Sequence, residues 1–453
     1  MPVELRITSH DWSQLRAVLL PDDEEHAAVL VCGQLTTSRK QVLLVRQVLA
    51  IGDEDLDRES GRLHVSIRPT TIARLAKRVA RDGLSLLVCH SHPFPGAVHP
   101  SPLDIRTERE LCGRVLVGRL PERLVGSLIV GPDGWSARAW SRDAQFDIDE
   151  LRVVGDQIAR DRIHAEEGLE TDDTVDRQVR AWGSDGQRAL ADSTVVVAGC
   201  GGTGSHSVVQ LAHLGIRNLV LIDPDFIEPS NLSRVVASTA GDIGRPKVDV
   251  LADAVGLINP RAVVRGLRAS VLDIDAHTYL DADLIVCATD GHGSRALLNQ
   301  VATQYLIPVV DMGVEVQPGE SLRAGGGVRV LRPGSGCLQC AGTLDPQLVR
   351  QEFLTDDERE VEARRGYLRG VDEPAPSVVA LNGVVASLAV LEVCDLLTGF
   401  LGSSRSRLLY RAHARALTTA DLSKRDDCFV CGCGGVLGVG DAQVLPRRAP
   451  GAA

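Results

Sequence analysis

No stretch of this chain is an uninterrupted apolar run long enough to cross a membrane, and the opening Met1-Pro-Val-Glu-Leu-Arg carries no signal-peptide pattern. These two absences lead to the expectation of a cytoplasmic protein with no membrane partner. A basic excess is missing as well: 49 Lys and Arg stand against 60 Asp and Glu, a formal net charge of −11. A general nucleic-acid surface needs the opposite balance, so no nucleic-acid partner is expected. Neither an internal repeat nor a low-complexity tract is visible. Eleven cysteines in 453 residues do not make a disulfide scaffold. Cys32, Cys89, Cys287 and Cys394 sit in apolar runs, where cysteine is a small core residue. Cys337/Cys340 and Cys428/Cys431 instead stand in CxxC pairs, which suit metal or redox work.

What is present is enough chain for two or three domains, with 44% hydrophobic and 24% charged residues, as in ordinary globular proteins. In the first part, a short helix after Ser9-His-Asp11 ends near Pro21. Strands come next at Ala27–Gly33 and Gln41–Leu49, then a helix over Thr71–Ala80 that stops at Asp82-Gly83. The strand Leu84–Cys89 delivers His90-Ser91-His92-Pro93. Strand side chains alternate, so two histidines at i and i+2 point the same way. Eight residues beyond Pro93 begins Ser101-Pro-Leu-Asp104, whose aspartate opens a helix-like stretch. Two histidines and an aspartate suit a catalytic zinc, which keeps its fourth position for water and needs a nearby carboxylate as base.

This HxHPx7SxxD pattern, with every spacing kept, resembles the JAMM signature of the JAB/MPN metalloproteases. The resemblance implies that His90, His92 and Asp104 bind zinc and that Ser101 helps stabilise the tetrahedral intermediate. It also implies an upstream glutamate as acid/base. Glu25, eight residues before Gly33, fits that role best, with adjacent Glu24 the alternative.

Val125–Trp140 reads as a hairpin turning at Pro132-Asp-Gly134. From Ser141 to Thr174 the chain is strongly charged. A boundary is expected there, with a helix around Ile148–His164. The expected divisions are a first domain over 1–141, a partly helical linker over 142–174, a second domain over 175–435, and a tail over 436–453.

The second domain opens on Thr194-Val-Val-Val-Ala-Gly199-Cys-Gly201-Gly202-Thr-Gly204. A β-branched run this long reads as a strand buried on both faces of a parallel sheet. It feeds a GxGxxG turn and then a helix, so backbone N–H groups are set to face a phosphate. Alone, the motif points to NAD or FAD. The second strand, Asn218–Asp223, ends on an acidic residue suited to a ribose. Past that strand, Asn231, Arg234 and Lys247 form a polar, cationic wall suited to a triphosphate. A third strand, Ala282–Asp290, ends on a carboxylate that suits magnesium bridging phosphates. The overall expectation is an α/β chain: a mixed sheet with helices, then a Rossmann-like, doubly wound parallel sheet.

Together with Val175-Asp-Arg177-Gln178 upstream, this order of motifs resembles the ThiF/MoeB and ubiquitin-activating-enzyme superfamily. Members adenylate the C-terminal glycine of a ubiquitin-like or sulfur-carrier protein. The resemblance implies ATP in the Gly199, Gly201, Gly202 and Gly204 loop, with Asp223 on the ribose. Asn231, Arg234 and Lys247 would contact the phosphates, and Asp290 would hold Mg2+. Arg177 would be the arginine that reaches the phosphates, often across a homodimer interface. One departure is Val235, where a glutamine normally follows the arginine.

Cys337, Cys340, Cys428 and Cys431 can supply four thiolates to a closed structural zinc, as in the bacterial members, with Cys433 a spare. The crossover segment between Cys340 and the apolar helix Ser377–Leu396 has no cysteine, although thioester-forming members carry their nucleophile there. Cys394 looks buried, and Cys200 reads as a turn residue. The expected endpoint is therefore an acyl-adenylate, attacked by a sulfur donor, an amine or a cysteine of a conjugating enzyme. The full expectation is a bifunctional enzyme that activates a carrier tail and trims or releases it by zinc-dependent hydrolysis. A scaffold that binds carriers without processing them, or adenylation dedicated to thiocarboxylate sulfur transfer, are the other readings.

Overall fold

Strands with apolar residues on both faces build the first half of the molecule into a nearly closed sheet. The structure is a computed structural model, and it describes residues 1–57, 65–162, 173–317, 323–365, 376–402 and 405–448. Strands β1 (Val3–Thr8), β2 (Ala27–Thr36), β3 (Gln41–Ala50), β4 (Ser85–Ser91), β5 (Val125–Val130), β6 (Trp135–Trp140), β7 (Gln145–Val154) and β8 (Ile158–Arg162) lie in the order β1-β3-β2-β4-β5-β6-β7-β8. A parallel pairing of β7 with β1 closes the sheet into a barrel-like form. The period-two alternation of β2 decides what covers each face. Ala28, Leu30 and Cys32 pack with Leu15 and Leu19 of helix α1 (Ser9–Leu19). Ala27, Val29 and Val31 pack with Ile72, Ala76 and Val79 of helix α2 (Pro69–Arg81).

The helix expected around Ile148–His164 is not formed. Its described residues are in β7 and β8, paired antiparallel from Ile158↔Val154 to Arg162↔Glu150. The local apolar spacing is ambiguous. The competing term is non-local: β1 offers open backbone N–H and C=O groups from Val3 to Thr8, and β7 pairs along all of them. The first sheet accordingly runs to Arg162, beyond the expected boundary at 141. The charged stretch Glu166–Asp172 lies outside the described residues.

The second half is a doubly wound sheet in the order β11-β10-β9-β12-β13-β14-β15-β16. These strands are β9 (Thr194–Ala198), β10 (Asn218–Ile222), β11 (Val263–Leu267), β12 (Leu284–Cys287), β13 (Val309–Gln317), β14 (Arg323–Leu331), β15 (Arg407–Arg411) and β16 (Ala416–Ala420). Strands β11 to β13 in that order are parallel, and β14 to β16 add antiparallel. The chain winds outward in both directions from the β9/β12 boundary, and ligands of such sheets sit at that boundary, beyond the strand C-termini.

Both faces of β9 are buried, as a continuous β-branched run requires. Val195 and Val197 pack against helices α5 (Gly202–His213), α6 (Lys247–Ile258) and α10 (Val379–Thr398). Val196 and Ala198 face helix α7 (His292–Gln304), and they also share a core with Leu35, Val42 and Leu44 of the first sheet. The two halves are therefore fused through a common hydrophobic core. A buried ion cluster borders it: Arg152, 3% exposed, bonds Asp283 at 2.5 Å and reaches Glu4 and Glu150.

Helix α10 is long and apolar enough by composition to span a membrane. Here it lies across the sheet, with Asn382, Glu392 and Asp395 all buried, which fits a core helix. The segment 436–448, expected as a tail, is packed between the two sheets: Leu445 joins the shared core and Gly438 bonds Gly33.

Candidate functional site

The turn after β9 is shaped by contact with the turn after β12. Gly199 has φ +92°, and a Cβ there would sit 2.7 Å from the Ala288 carbonyl carbon. At Gly204 a Cβ would sit 1.9 Å from the Gly199 oxygen, so the helix can start this close to the strand only with glycine. At Gly201, the N-cap of α5, a Cβ would meet nothing within 4 Å. This side of the loop is an open cradle at a helix N-terminus, where orphan N–H groups and the helix dipole favour an anion. A Cβ at Gly202 would lie 2.3 Å from the Asn382 amide of α10 and 3.6 Å from Cδ of Arg234.

The expected partners gather around that loop. Asp223, 5% exposed, accepts the Cys200 N–H at 2.6 Å on one oxygen and the Asp225 N–H at 2.9 Å on the other. Burial raises its carboxyl above the usual range, with Lys247 opposing. The Lys247 ammonium is buried, 2.7 Å from Asp225 and 4.0 Å from Asp223. Asn231 is buried and accepts the Glu228 N–H at 3.2 Å. Arg234 donates to the Ser230 carbonyl at 2.9 Å. Val235 packs with Ile227 and Val250, an apolar site that accounts for its departure from glutamine. Asp290 is exposed three residues beyond β12, next to the Ala288–Thr289 backbone that Gly199 touches.

Arg177 is not brought to this crevice within its own chain. It is exposed near the start of helix α4 (Asp176–Asp192), and neighbouring Gln178 bonds the carbonyl of His213, the last residue of α5. The glycine loop is at the other end of α5, a span of ~18 Å for a helix of that length.

Far along the chain, the four cysteines meet. The sulfurs of Cys337, Cys340, Cys428 and Cys431 lie within 4.8 Å of one another, with separations of 3.8 Å (337–340), 3.7 Å (337–428) and 3.3 Å (340–431). Four thiolates ~2.3 Å from a tetrahedral zinc have edges of ~3.8 Å, so this cluster fits that ion. Cys433 is exposed and outside the cluster. Burial pushes the Cys394 thiol up to about 12 and the Cys200 thiol well above its usual range, so both are inert core groups.

Residues 175–434, more than half of the chain, match the ThiF family. The chain belongs to the ThiF family. SAMP-activating enzyme E1 of Haloferax volcanii is 32% identical over 265 residues, covering 58% of this chain and 89% of that one. Molybdopterin-synthase adenylyltransferase of Escherichia coli is 30% identical over 258 residues, covering 56% and 93%. The sulfur carrier protein ThiS adenylyltransferase of Escherichia coli is 28% identical over 251 residues, covering 55% and 89%.

This ThiF-family chain holds a second ligand cluster in its first sheet. His90 and His92 project from the end of β4, and their Nε2 atoms lie 3.4 and 3.3 Å from the two oxygens of Asp104. Asp104 is held by a capping box at the start of helix α3 (Pro102–Glu110): Ser101 Oγ accepts its N–H, and Asp104 accepts the Ser101 N–H at 2.7 Å. Burial would raise the Asp104 carboxyl, but hydrogen bonds from His90, His92 and Ser101 hold it far below the usual range. The hydrogen bond to Asp104 raises the His92 imidazole against burial, and the charge of Glu25 adds to the rise. His90 Nε2 is buried, and its 3.4 Å approach to Asp104 is a long contact that a shared cation would replace. The three ligand atoms lie within 4.8 Å of one another, a donor set that fits zinc.

Burial distinguishes the two glutamates. β2 and β4 pair antiparallel as far as Ala27 opposite His90, and just beyond that pair the Ser91 N–H donates to the His26 carbonyl at 3.0 Å. Glu25 is 8% exposed and its charge acts on His92, whereas Glu24 is half-buried.

Three residues near the nucleotide crevice carried no sequence expectation. Asp225 holds Lys247 and Asn382 packs on Gly202, while Glu352 from helix α8 (Pro346–Phe353), which precedes helix α9 (Asp356–Arg364), lies over Gly291 and Gly293 at the start of α7. The asparagine inside an apolar helix was a visible signal. Asp225 and Glu352 had none beyond their charge.

Proposed function

We propose that this chain adenylates the C-terminal glycine of a ubiquitin-like or sulfur-carrier protein with ATP, and that its first sheet carries a zinc-dependent peptidase acting on the same kind of tail. The observation that carries the first activity is the open cradle at Gly201, flanked at the topological switch point by Asp223, Lys247 and Asp290. The relatives' names, activating enzyme or adenylyltransferase in each case, support it.

In this reading the α5 N–H groups hold the phosphates, and Lys247 and Arg234 turn from Asp225 and Ser230 toward them. Each Asp223 oxygen already accepts one N–H and keeps a second lone pair for a ribose hydroxyl. The carrier carboxylate attacks the α-phosphorus as the bond to pyrophosphate breaks, so cations aimed at the leaving group act on charge that grows in the transition state. Mg2+ on Asp290 would add its charge to that set. The partner's Arg177, in a homodimer, would complete it. The crossover segment contains no cysteine, which favours an acyl-adenylate over a thioester as the product released to a sulfur donor or a conjugating enzyme.

In the first sheet, zinc on His90, His92 and Asp104 would supply a Lewis acid and a water of lowered pKa. Glu25 would accept a proton from the attacking water and donate one to the leaving amine. Ser101 Oγ accepts the Asp104 N–H and so has its own hydrogen to donate to a developing oxyanion.

Mass spectrometry of a candidate carrier after incubation with ATP, Mg2+ and this protein tests both activities, reading an adenylate, a conjugate or a clipped tail. An unchanged carrier across all carriers encoded nearby would overturn the proposal. Gly201→Val gives a sharper check on the cradle. A Cβ there meets no protein atom and the φ of −80° is ordinary, so Tm should move by no more than a few degrees while ATP affinity falls by about tenfold or more. Calorimetric titration with ATP reads the loss.

A further inference from the structure

We infer that the four-cysteine cluster anchors a strap, residues 435–448, that clamps the first sheet onto the second, so that domain docking in this chain depends on the metal. The strap starts four residues after Cys431, and its origin is folded onto the cluster: Val436 N–H donates to Val430 O at 2.8 Å, and Val436 and Val439 pack with Cys337, Cys428 and Cys431.

From there the strap is bonded on both sides. Toward the first sheet, Gly33 N–H donates to Gly438 O at 3.0 Å and Asp441 N–H to Gln34 O at 2.8 Å. Arg46 donates to the carbonyls of Gly435 and Leu437 at 3.1 and 2.8 Å. Toward the second sheet, Gly438 and Gly440 N–H donate to Thr303 and Gln304 carbonyls, both at 3.1 Å. Asp441 is the junction. One of its oxygens accepts the Thr36 N–H at 3.2 Å, and the other meets the Tyr305 hydroxyl at 3.1 Å and the His277 ring at 3.0 Å.

Backbone approach this close has a sequence signature. Gly438 and Gly440 have φ of +60° and +54°, and a Cβ at either would fall 2.7 Å from Val45 O or 2.3 Å from Gln34 O, both in the first sheet. The strap then ends at the crossover: Arg448 Nε donates to the carbonyl of Glu352, whose carboxylate lies over the start of α7 beside Asp290. Loss of the metal frees one end of a segment held along a seam by backbone bonds, the Asp441 carboxylate and Leu445. A strap of this kind, with no helix or strand of its own, opens as a unit.

Amide hydrogen exchange on the full chain tests the clamp without relying on activity. In a Cys428→Ser/Cys431→Ser variant, with zinc lost from that cluster, the amides of Gly33, Gly438, Gly440 and Asp441 should exchange about tenfold faster or more. Those of Val196 and Val197 in β9 should keep their rates. Zinc loss with the seam amides unchanged overturns the inference. Should β9 open as fast as the seam, Gly438→Val decides, since it leaves the cysteines intact and strikes only the strap. Faster seam exchange at full zinc content supports the clamp, and unchanged seam exchange overturns it.

Discussion

Replacing Asp290 with alanine is expected to lower carrier-dependent exchange of pyrophosphate into ATP by about 10³-fold or more, with the fold intact. The carboxylate is exposed beyond the last residue of β12, so no core contact is lost, and Tm should stay within a few degrees of the parent. Its position is what makes the loss large. The β9/β12 boundary is where the sheet's two windings diverge, and Asp290 stands on one lip with the Gly201 cradle on the other. Of the nearest carboxylates beyond β10, Asp223 ties two loop amides and keeps its remaining lone pairs for a ribose, and Asp225 holds Lys247 at 2.7 Å until the phosphates arrive. Exchange retained within tenfold of the parent would remove Asp290 from the reaction.

The second large effect is in the first sheet, where metal content and hydrolysis should separate. The parent chain should carry two zinc ions, one on each ligand cluster, and His90→Ala/His92→Ala should carry one. Glu25→Gln should keep both ions and lose hydrolysis of a carrier tail by about 10²–10⁴-fold, the range for removing a general base. Glu24→Gln should be close to the parent, because the glutamate charge that acts on His92 is that of Glu25. Elemental analysis beside a cleavage assay reads all four proteins. A parent chain with zinc on the cysteines alone would end the peptidase reading.

Much of both sites was legible in local sequence patterns. The HxH pair, the serine and aspartate at a helix start, and the glycine turn between strand and helix have geometry that comes from strand alternation, capping and backbone sterics. Which glutamate lies buried beside His92 was not legible there, since it depends on how the chain before β2 packs against residues more than sixty positions away. The failed helix at 148–164 has the same origin. Its pattern allowed either element, and β1 decided by offering a partner edge. Arg177 illustrates the reverse case: the motif named it, but the packing of α4 on the far end of α5 keeps it from its own crevice.

The sequence by itself determined the elements with strong local signals: the buried strand β9, the glycine turn after it, and the histidine and cysteine pairs that the fold gathers into clusters able to hold a metal. Only the tertiary structure decided that the two halves share a core, with Val196 and Ala198 packed against Leu35, Val42 and Leu44. It also turned the supposed tail into a strap. The reason is physical. A period-two pattern says that a face is buried, but the identity of what buries it depends on contacts between residues hundreds of positions apart, which no local pattern encodes.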